Sequence, residues 1–224
     1  MKKQIKKIAL DTNLFLKFFL KKQKKTELIK PIKYGLFPGG KKIRSKILID
    51  VGQIFNINYD LLIKIGSAIE CIHAYSLIHD DLPCMDDDSI RRGKLSVHKK
   101  FGEATAILAG NSLLTIAFEI LSSNKLNLSD SKKIELIDLI SKSSGHSGIA
   151  GGQFLDLNYE KKNITKNKAI NMQIKKTGML FSVACLAPVI ISEKKKYFNK
   201  FYNIRSDIGL LFQITDDLWD LKGN

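Results

Sequence analysis

Residues 70–88, ECIHAYSLIHDDLPCMDDD, join an apolar helical pattern directly to a cluster of acidic side chains. The pattern extends upstream, because apolar residues recur at intervals of four and three from Leu61 to Tyr75. Such spacing puts them on one face of an α-helix. Pro83 lacks a backbone N–H and clashes with the preceding turn, so this helix is predicted to end or distort beside it.

The rest of the chain repeats the helical pattern. Apolar stripes with helical spacing recur in residues 134–140 and 211–221, whereas alternating stretches bounded by hairpin dipeptides are scarce. No low-complexity linker or shift in composition marks a second domain. We therefore predict an all-α fold, a single helical bundle that spans residues 1–224.

Composition sets the class of protein. The 224 residues are 44% hydrophobic and 26% charged, which is typical of a globular domain with a sizeable core. No uninterrupted apolar run approaches the roughly 18 residues that suggest a membrane span, and no clean signal-peptide region follows the first lysines. We expect a cytoplasmic protein without a membrane span. The three cysteines have no metal-binding spacing and are expected to be buried thiols.

Positive charge is concentrated at the start of the chain. Residues 1–46 carry fifteen Lys and Arg against Asp11 and Glu27, a net +13 of the total +15. Nucleic acid or an acidic membrane surface attracts such a segment. However, only four of the 37 basic residues are arginine, the residue that reads phosphates and bases with a planar fork. We expect no nucleic-acid partner.

The acidic segment that follows the helix predicts a metal site. Five carboxylates fall within residues 80–88, and so much like charge is costly unless a cation neutralises it. A few carboxylates completed by water and substrate phosphate suit Mg²⁺. If the helix ends near Pro83, Asp80 and Asp86 converge on one metal cluster. An acidic solvated loop is the alternative interpretation.

A second acidic cluster, DDLWD, occupies residues 216–220. Asp216 and Asp220 are one helical turn apart, and Gln213 lies on the same face three residues earlier. Alone, this pattern is equally typical of an exposed acidic helix. Two such clusters in one helical chain favour metal binding.

Three basic motifs accompany the acidic clusters: GGKKIR at residues 39–44, Arg91-Arg92, and Lys176-Thr177-Gly178. Glycines and cations at the start of a helix suit an oxyanion. Together the motifs predict that metal ions bind one diphosphate while cations bind another. His73 shares a helix face with Asp80, and both a ligand role and a structural role are open for it.

The run of residues 70–83, followed by Met85-Asp86-Asp87-Asp88 and Arg91-Arg92-Gly93, closely resembles bacterial farnesyl diphosphate synthases. Motifs at residues 39–41, 101–103, 151–153, 176–178 and 212–220 match in the same order. The resemblance implies an isoprenoid-synthase-type bundle around a central cavity and a homodimer. It implies a Mg²⁺-dependent prenyltransferase that condenses dimethylallyl or geranyl diphosphate with isopentenyl diphosphate, giving farnesyl diphosphate and releasing diphosphate.

The resemblance also implies residue roles. The residues expected to bind Mg²⁺ are Asp80, Asp86 and Asp216. Those expected to help hold the allylic diphosphate are Arg91 and Lys176. Those expected to hold isopentenyl diphosphate are Lys41, Arg44, His73 and Arg92. Those expected to line the reacting carbons are Thr177 and Gln213. Those expected to limit product length, one turn before Asp80, are Tyr75 and Ser76.

Some positions depart from the family pattern. Lys42 stands where the family usually has arginine, and Ser45 replaces a usual proline. The sequence ends four residues after Asp220, whereas relatives continue, so we expect a bundle that lacks its last helices. Two alternatives remain open: a terpene cyclase, and an inert relative that acts as a partner subunit or survives as a gene remnant.

Overall fold

The computed structural model describes residues 2–204, 207, 208, 211 and 215. The chain divides into two compact units, Met1–Lys133 and Ile134–Asn224. Helices account for nearly all regular structure in the described residues, and the strands there form one two-stranded hairpin. The prediction of an all-α fold is confirmed.

The first unit contains six α-helices, which are α1 (Lys2–Lys22), α2 (Ile29–Leu36), α3 (Ile43–Ile54), α4 (Tyr59–Asp80), α5 (Val97–Phe101) and α6 (Glu103–Ser122). The hairpin of β1 (Ile90–Arg91) and β2 (Lys94–Leu95) lies between α4 and α5 and was not predicted. Its turn residues Arg92 and Gly93 have φ of 52° and 74°. Positive φ at both positions is what a tight two-residue turn requires.

Helix α4 is the core helix of this unit and packs against α1, α3 and α6. It begins at Tyr59, where the side chain of Asn58 accepts a hydrogen bond from the N–H of Leu61. The middle of the predicted apolar stripe, Ile65 through Ile72, is fully buried at its stripe positions. The helix ends at Asp80, as Pro83 predicted.

Small residues let α4 approach its neighbours closely. The Ser45 hydroxyl oxygen of α3 lies 3.2 Å from the carbonyl oxygen of Gly66, and a Cβ on Gly66 would lie 3.0 Å from that hydroxyl oxygen. On the α6 side, a Cβ on Gly110 would lie 2.2 Å from the His79 ring. Any larger side chain at Gly110 would therefore displace the His79 ring or push α6 away from the end of α4.

The second unit continues α7 (Asp130–Ser144), whose first turn belongs to the first unit, with α8 (Ile149–Tyr159), α9 (Lys166–Gln173), a π-helical turn (Ile174–Gly178) and α10 (Met179–Ile191). Every residue from 180 to 189 in α10 is buried. Short 3₁₀ turns occur at Asn124–Leu126 and Lys195–Tyr197. Of the cysteines, Cys71 and Cys185 are buried as expected, but Cys84 is exposed, so that expectation was wrong for it.

Three helical runs in the described residues are long and apolar enough to cross a membrane, judged by length and composition. They are α4, α6 and the continuous run Lys166–Ile191. None of them was predicted from the sequence, because charged or polar residues interrupt each apolar run. The apolar windows of α4 and Lys166–Ile191 are 72% and 67% buried within the chain, against 44% for α6. Packing within the described chain thus leaves much of α6 open.

We predict that Gly152→Ala destabilises the second unit. A Cβ at Gly152 would lie 2.2 Å from the backbone nitrogen of Lys176, and backbone atoms cannot rotate aside. Overpacking of this kind lowers the free energy of unfolding by about 1–3 kcal/mol. Urea unfolding measures the effect, with Gly145→Ala as the matched control, because its Cβ would meet only Ser141 O, at 3.1 Å. Equal losses in both variants would contradict this packing.

Candidate active site

The chain folds back on itself directly after α4. The N–H of Leu82 donates to the carbonyl of His79 at 3.1 Å, and the N–H of Met85 donates to that of Leu82 at 2.8 Å. The N–H of Asp86 then donates to the carbonyl of Asp80 at 2.9 Å. The two residues predicted to converge are therefore hydrogen-bonded to each other through their backbones.

The chemistry of this loop fits a hard cation. Asp86 is exposed and Asp80 is half-buried, so both carboxylates can be reached from solvent. Within the described residues, no three His, Cys, Asp or Glu side chains form a group that could hold a metal ion. Two carboxylates completed by water and substrate phosphate are a suitable set for Mg²⁺. Asp216, expected to complete the set, lies outside the described residues, as does Gln213.

Arg91 is held beside the loop by a carboxylate that sequence analysis did not single out. Asp81 is 2% exposed and accepts hydrogen bonds from Arg91 Nε at 2.7 Å and from Nη2. Nη2 also contacts Asp88 at 2.9 Å. Burial raises the pKa of Asp81, although Arg91 opposes the shift. Burial lowers the pKa of Arg91, but Asp81, Asp88 and Asp80 together outweigh burial, so the pKa of Arg91 is raised.

Arg92 connects two of the predicted cation motifs. Its Nη1 donates to the carbonyl oxygen of Gly39, in the loop before α3. Gly39 and Gly40 have φ of 99° and 125°, and a Cβ on Gly40 would lie 2.1 Å from Arg92 Nη1. Only glycine satisfies both conditions at position 40. The loop at residues 39–44 and the pair Arg91-Arg92 therefore meet in space.

A buried ion pair lies behind this loop. Lys42 Nζ is 3.3 Å from Glu70 Oε2, and the two side chains are 8% and 3% exposed. The other Glu70 oxygen accepts from the Ser45 hydroxyl at 3.1 Å. Lys42 and Ser45, two positions that depart from the family pattern, thus both contact Glu70.

His73 lies on α4 among cations. Burial lowers its pKa well below the ordinary 6.5, and Arg44, Lys42, Arg92 and Arg91 lower it further. Burial also lowers the pKa of Arg44 to about 10, while Glu70 raises it in part. His73 is therefore neutral at pH 7. We call Lys42, Arg44, His73 and Arg92 the cationic cluster; it offers positive charge that an anion would stabilise.

The remaining predicted residues of the first unit lie close to these features. Lys41 is exposed on the loop before α3. Ser76 is buried, and its hydroxyl donates to the His73 carbonyl at 3.0 Å. The Tyr75 ring packs edge-on against His79, with centroids 5.3 Å apart. Burial, followed by the charge of Asp80, raises the pKa of Tyr75.

In the second unit, Lys176 and Thr177 lie in the π-helical turn Ile174–Gly178. Such turns are frequent at functional sites. Lys176 Nζ donates to the carboxylate of Asp156 on α8. Sequence analysis missed Asp156, although its position one turn after Gly152 places it on the same helix face as the predicted Gly151-Gly152 motif.

Comparison with known proteins extends the resemblance. A family model described as polyprenyl synthetase matches residues 25–224. The farnesyl diphosphate synthase of Buchnera aphidicola subsp. Acyrthosiphon pisum is 43% identical over 201 residues, covering 88% of this chain and 71% of that protein. That of Escherichia coli is 40% identical over 202 residues, covering 89% and 68%. The crystal structure of an FPP/GFPP synthase from Zymomonas mobilis, 37% identical, has a TM-score of 0.92 and covers 98% of this chain and 81% of its own.

The low pKa of His73 predicts a dependence of stability on pH. The unfolded chain takes up a proton near pH 6.5, whereas folded His73 does not, so stability falls as the pH drops below 6.5. We expect up to about 1.4 kcal/mol of lost unfolding free energy per pH unit from this residue. His73→Gln should remove that part of the acid sensitivity in urea unfolding. His146→Gln, at an exposed position, is the control. An unchanged pH dependence in His73→Gln would contradict the assignment.

Proposed function

Because the chain belongs to the polyprenyl synthetase family, we propose that it is a prenyltransferase joining an allylic diphosphate to isopentenyl diphosphate. Its relatives named farnesyl diphosphate synthase support farnesyl diphosphate as the product, formed from dimethylallyl or geranyl diphosphate. One observation carries the proposal. Helix α4 bears His73 in the cationic cluster and Asp80 at the acidic loop, about 10 Å apart along its axis. Two diphosphates bound at these sites would be neighbours.

The allylic diphosphate is assigned to the acidic loop. Mg²⁺, which the family generally uses, would be held by Asp80 and Asp86 and would neutralise negative charge on the departing diphosphate. Arg91, oriented by Asp81 and Asp88, supplies a fixed positive charge beside that position. The roles expected for four further residues stay predictions: Lys176, Thr177, Gln213 and Asp216.

Isopentenyl diphosphate is assigned to the cationic cluster. Arg44 and Arg92 supply charge, exposed Lys41 adds a third cation, and neutral His73 can donate an N–H to a phosphate oxygen. The isopentenyl double bond is thereby aimed at the allylic carbon that loses diphosphate. A carbon–carbon bond forms as the carbon–oxygen bond breaks, and a proton then leaves the new chain for the departing diphosphate.

The two alternatives are not favoured. A terpene cyclase needs one diphosphate site, which would leave Arg44, His73 and Arg92 without a ligand. The relatives reported above are named farnesyl diphosphate synthase or FPP/GFPP synthase, and none of these three is named a cyclase. An inert relative needs neither the cations around His73 nor the acidic loop at the end of the same helix, whereas a synthase uses both.

We also propose a homodimer formed through α6. Ile107 and Leu108 on this helix are 42% and 54% exposed, and an apolar helix face of this kind suits an interface.

A single domain over residues 1–224 is supported by a family match that covers residues 25–224. A cytoplasmic location stays a prediction.

We predict that Asp80→Ala and Asp86→Ala each lower turnover by about 10²–10³-fold, because each removes a charge that the departing diphosphate requires. The measurement is product formation from isopentenyl and dimethylallyl diphosphates across a Mg²⁺ titration, analysed by chromatography. Asp60→Ala, in the first turn of the same helix, is the matched control. Parent-like kcat/KM in either loop variant at equal Mg²⁺ would refute the assignment.

We predict that Ser76→Phe shortens the product from fifteen toward ten carbons. Ser76 is buried one turn before Asp80, so a phenylalanine there would fill space that the growing chain occupies, next to Tyr75. Ser76→Ala removes the hydroxyl without adding volume and should keep the parent product. An active Ser76→Phe variant with an unchanged product distribution would remove Tyr75 and Ser76 from the chain-length pocket.

A further inference from the structure

One face of α1 is apolar and open to solvent. The buried side of this helix consists of Ile8, Thr12, Leu16 and Leu20. On the opposite side, Leu10, Leu14 and Phe18 follow each other at intervals of four and are 58%, 53% and 57% exposed. We call these three residues the α1 outer face. Single exposed apolar residues are ordinary, but an aligned stripe marks an interaction site.

Lysines surround this stripe. At 100° per residue, Lys3, Lys7, Lys17 and Lys21 project on the same side of the helix as the α1 outer face, and all four are exposed. The sequence of α1 contains a single acidic residue, Asp11. Its carboxylate accepts a hydrogen bond from the Tyr59 hydroxyl at 2.8 Å. The outer side of α1 therefore combines apolar side chains with a strong positive charge.

The apolar surface continues beyond the helix. Phe18 also lines a cavity of about 510 Å³. Phe15 and Phe19 share its wall, and the cations at its lining are Lys22, Lys64 and Lys125. The one acidic residue there, Glu119, accepts a hydrogen bond from the Gln23 amide at 2.8 Å. The same combination of aromatic surface and lysines thus extends from α1 across this part of the first unit.

The proposed reaction does not use this surface. Helix α1 precedes residues 25–224, which the family model matches, and it contains none of the residues assigned to either diphosphate. Residues 1–46 carry a net charge of +13, and only Lys42 and Arg44 of this segment belong to the cationic cluster. The exposed apolar stripe and the positive charge together suit a partner that carries both apolar and negatively charged groups.

We propose that the α1 outer face docks this protein on the surface of an anionic lipid bilayer. Leu10, Leu14 and Phe18 enter the boundary between headgroups and acyl chains, while the lysines extend their ammonium groups to lipid phosphates. Helices with apolar residues on one face and flanking lysines bind membranes in this way. The helix lies in the plane of the surface and does not span the bilayer.

Charge complementarity selects this partner over two others. Pairing α1 with α1 of a second copy would bring like-charged lysines together, which disfavours a symmetric contact. A nucleic acid would pair with the lysines but offers no apolar surface to Leu10, Leu14 and Phe18. Helix α1 also contains no arginine, the residue best suited to bind phosphates and bases. A lipid surface satisfies the apolar and the basic side chains simultaneously.

The test is vesicle co-sedimentation of the full chain. One set of vesicles is phosphatidylcholine, and the other mixes phosphatidylcholine and phosphatidylglycerol in equal parts. We expect binding to the anionic vesicles that weakens with added salt. Lys17→Gln/Lys21→Gln should weaken it by at least about tenfold, since each lysine near an anionic surface contributes roughly fivefold. Leu14→Ser should also weaken it, by about tenfold.

Matched controls carry the same changes elsewhere. Lys166→Gln/Lys168→Gln alters two exposed lysines of α9, and Ile134→Ser alters a 66% exposed residue of α7. Both should bind vesicles like the parent, and thermal melting by circular dichroism verifies that all variants fold.

Four results would overturn the proposal. The first is a parent with no preference for anionic vesicles, and the second is α1 variants that bind like their controls. The third is binding that depends on the lysines but not on Leu14, which indicates attraction to any polyanion. The fourth is an oligomer in analytical ultracentrifugation that Leu14→Ser dissociates, because a second copy would then cover the face.

Discussion

A backbone hydrogen bond from Asp86 to the carbonyl of Asp80 closes the loop after α4. Pro83 prevents the helix from continuing, so the chain must turn, and the turn directs Asp81 into the protein while Asp86 stays exposed. Buried Asp81 then requires a cation, which Arg91 supplies. Arg91 lies in the hairpin whose turn presents Arg92 to the Gly39 carbonyl. The loop before α3 is thus connected, contact by contact, to the end of α4.

This connection brings Arg92 to the loop before α3, where it acts on Arg44 and His73. Burial lowers the pKa of His73 and brings that of Arg44 to about 10, so the charged forms are destabilised in the free protein. Glu70 offsets only part of that cost. A diphosphate would reverse both effects on binding, because its negative charge favours the charged forms. The site is therefore arranged in advance for an anion and has little to reorganise when one binds.

Sequence reasoning recovered the features that are local along the chain. The periodicity of α4, its end at Asp80, and the approach of Asp86 all follow from helix geometry and from Pro83. The carboxylates that pair with the cations could not be predicted from the sequence, because the spacing of residues along the chain does not reveal which carboxylate a loop turns inward. Asp81 for Arg91 and Asp156 for Lys176 are tertiary contacts of this kind. The hairpin at 90–95 was missed because strands of two residues show no alternation.

The departures at Lys42 and Ser45 illustrate how such contacts constrain substitution. Glu70 is 3% exposed at its side chain and needs compensation for its charge. Lys42 provides a compact ammonium instead of a guanidinium fork, which leaves one carboxylate oxygen to be satisfied. The Ser45 hydroxyl donates to that oxygen, a bond that a proline could not make. Lys42 and Ser45 thus satisfy the two oxygens of Glu70 together, one through an ion pair and the other through a hydrogen bond.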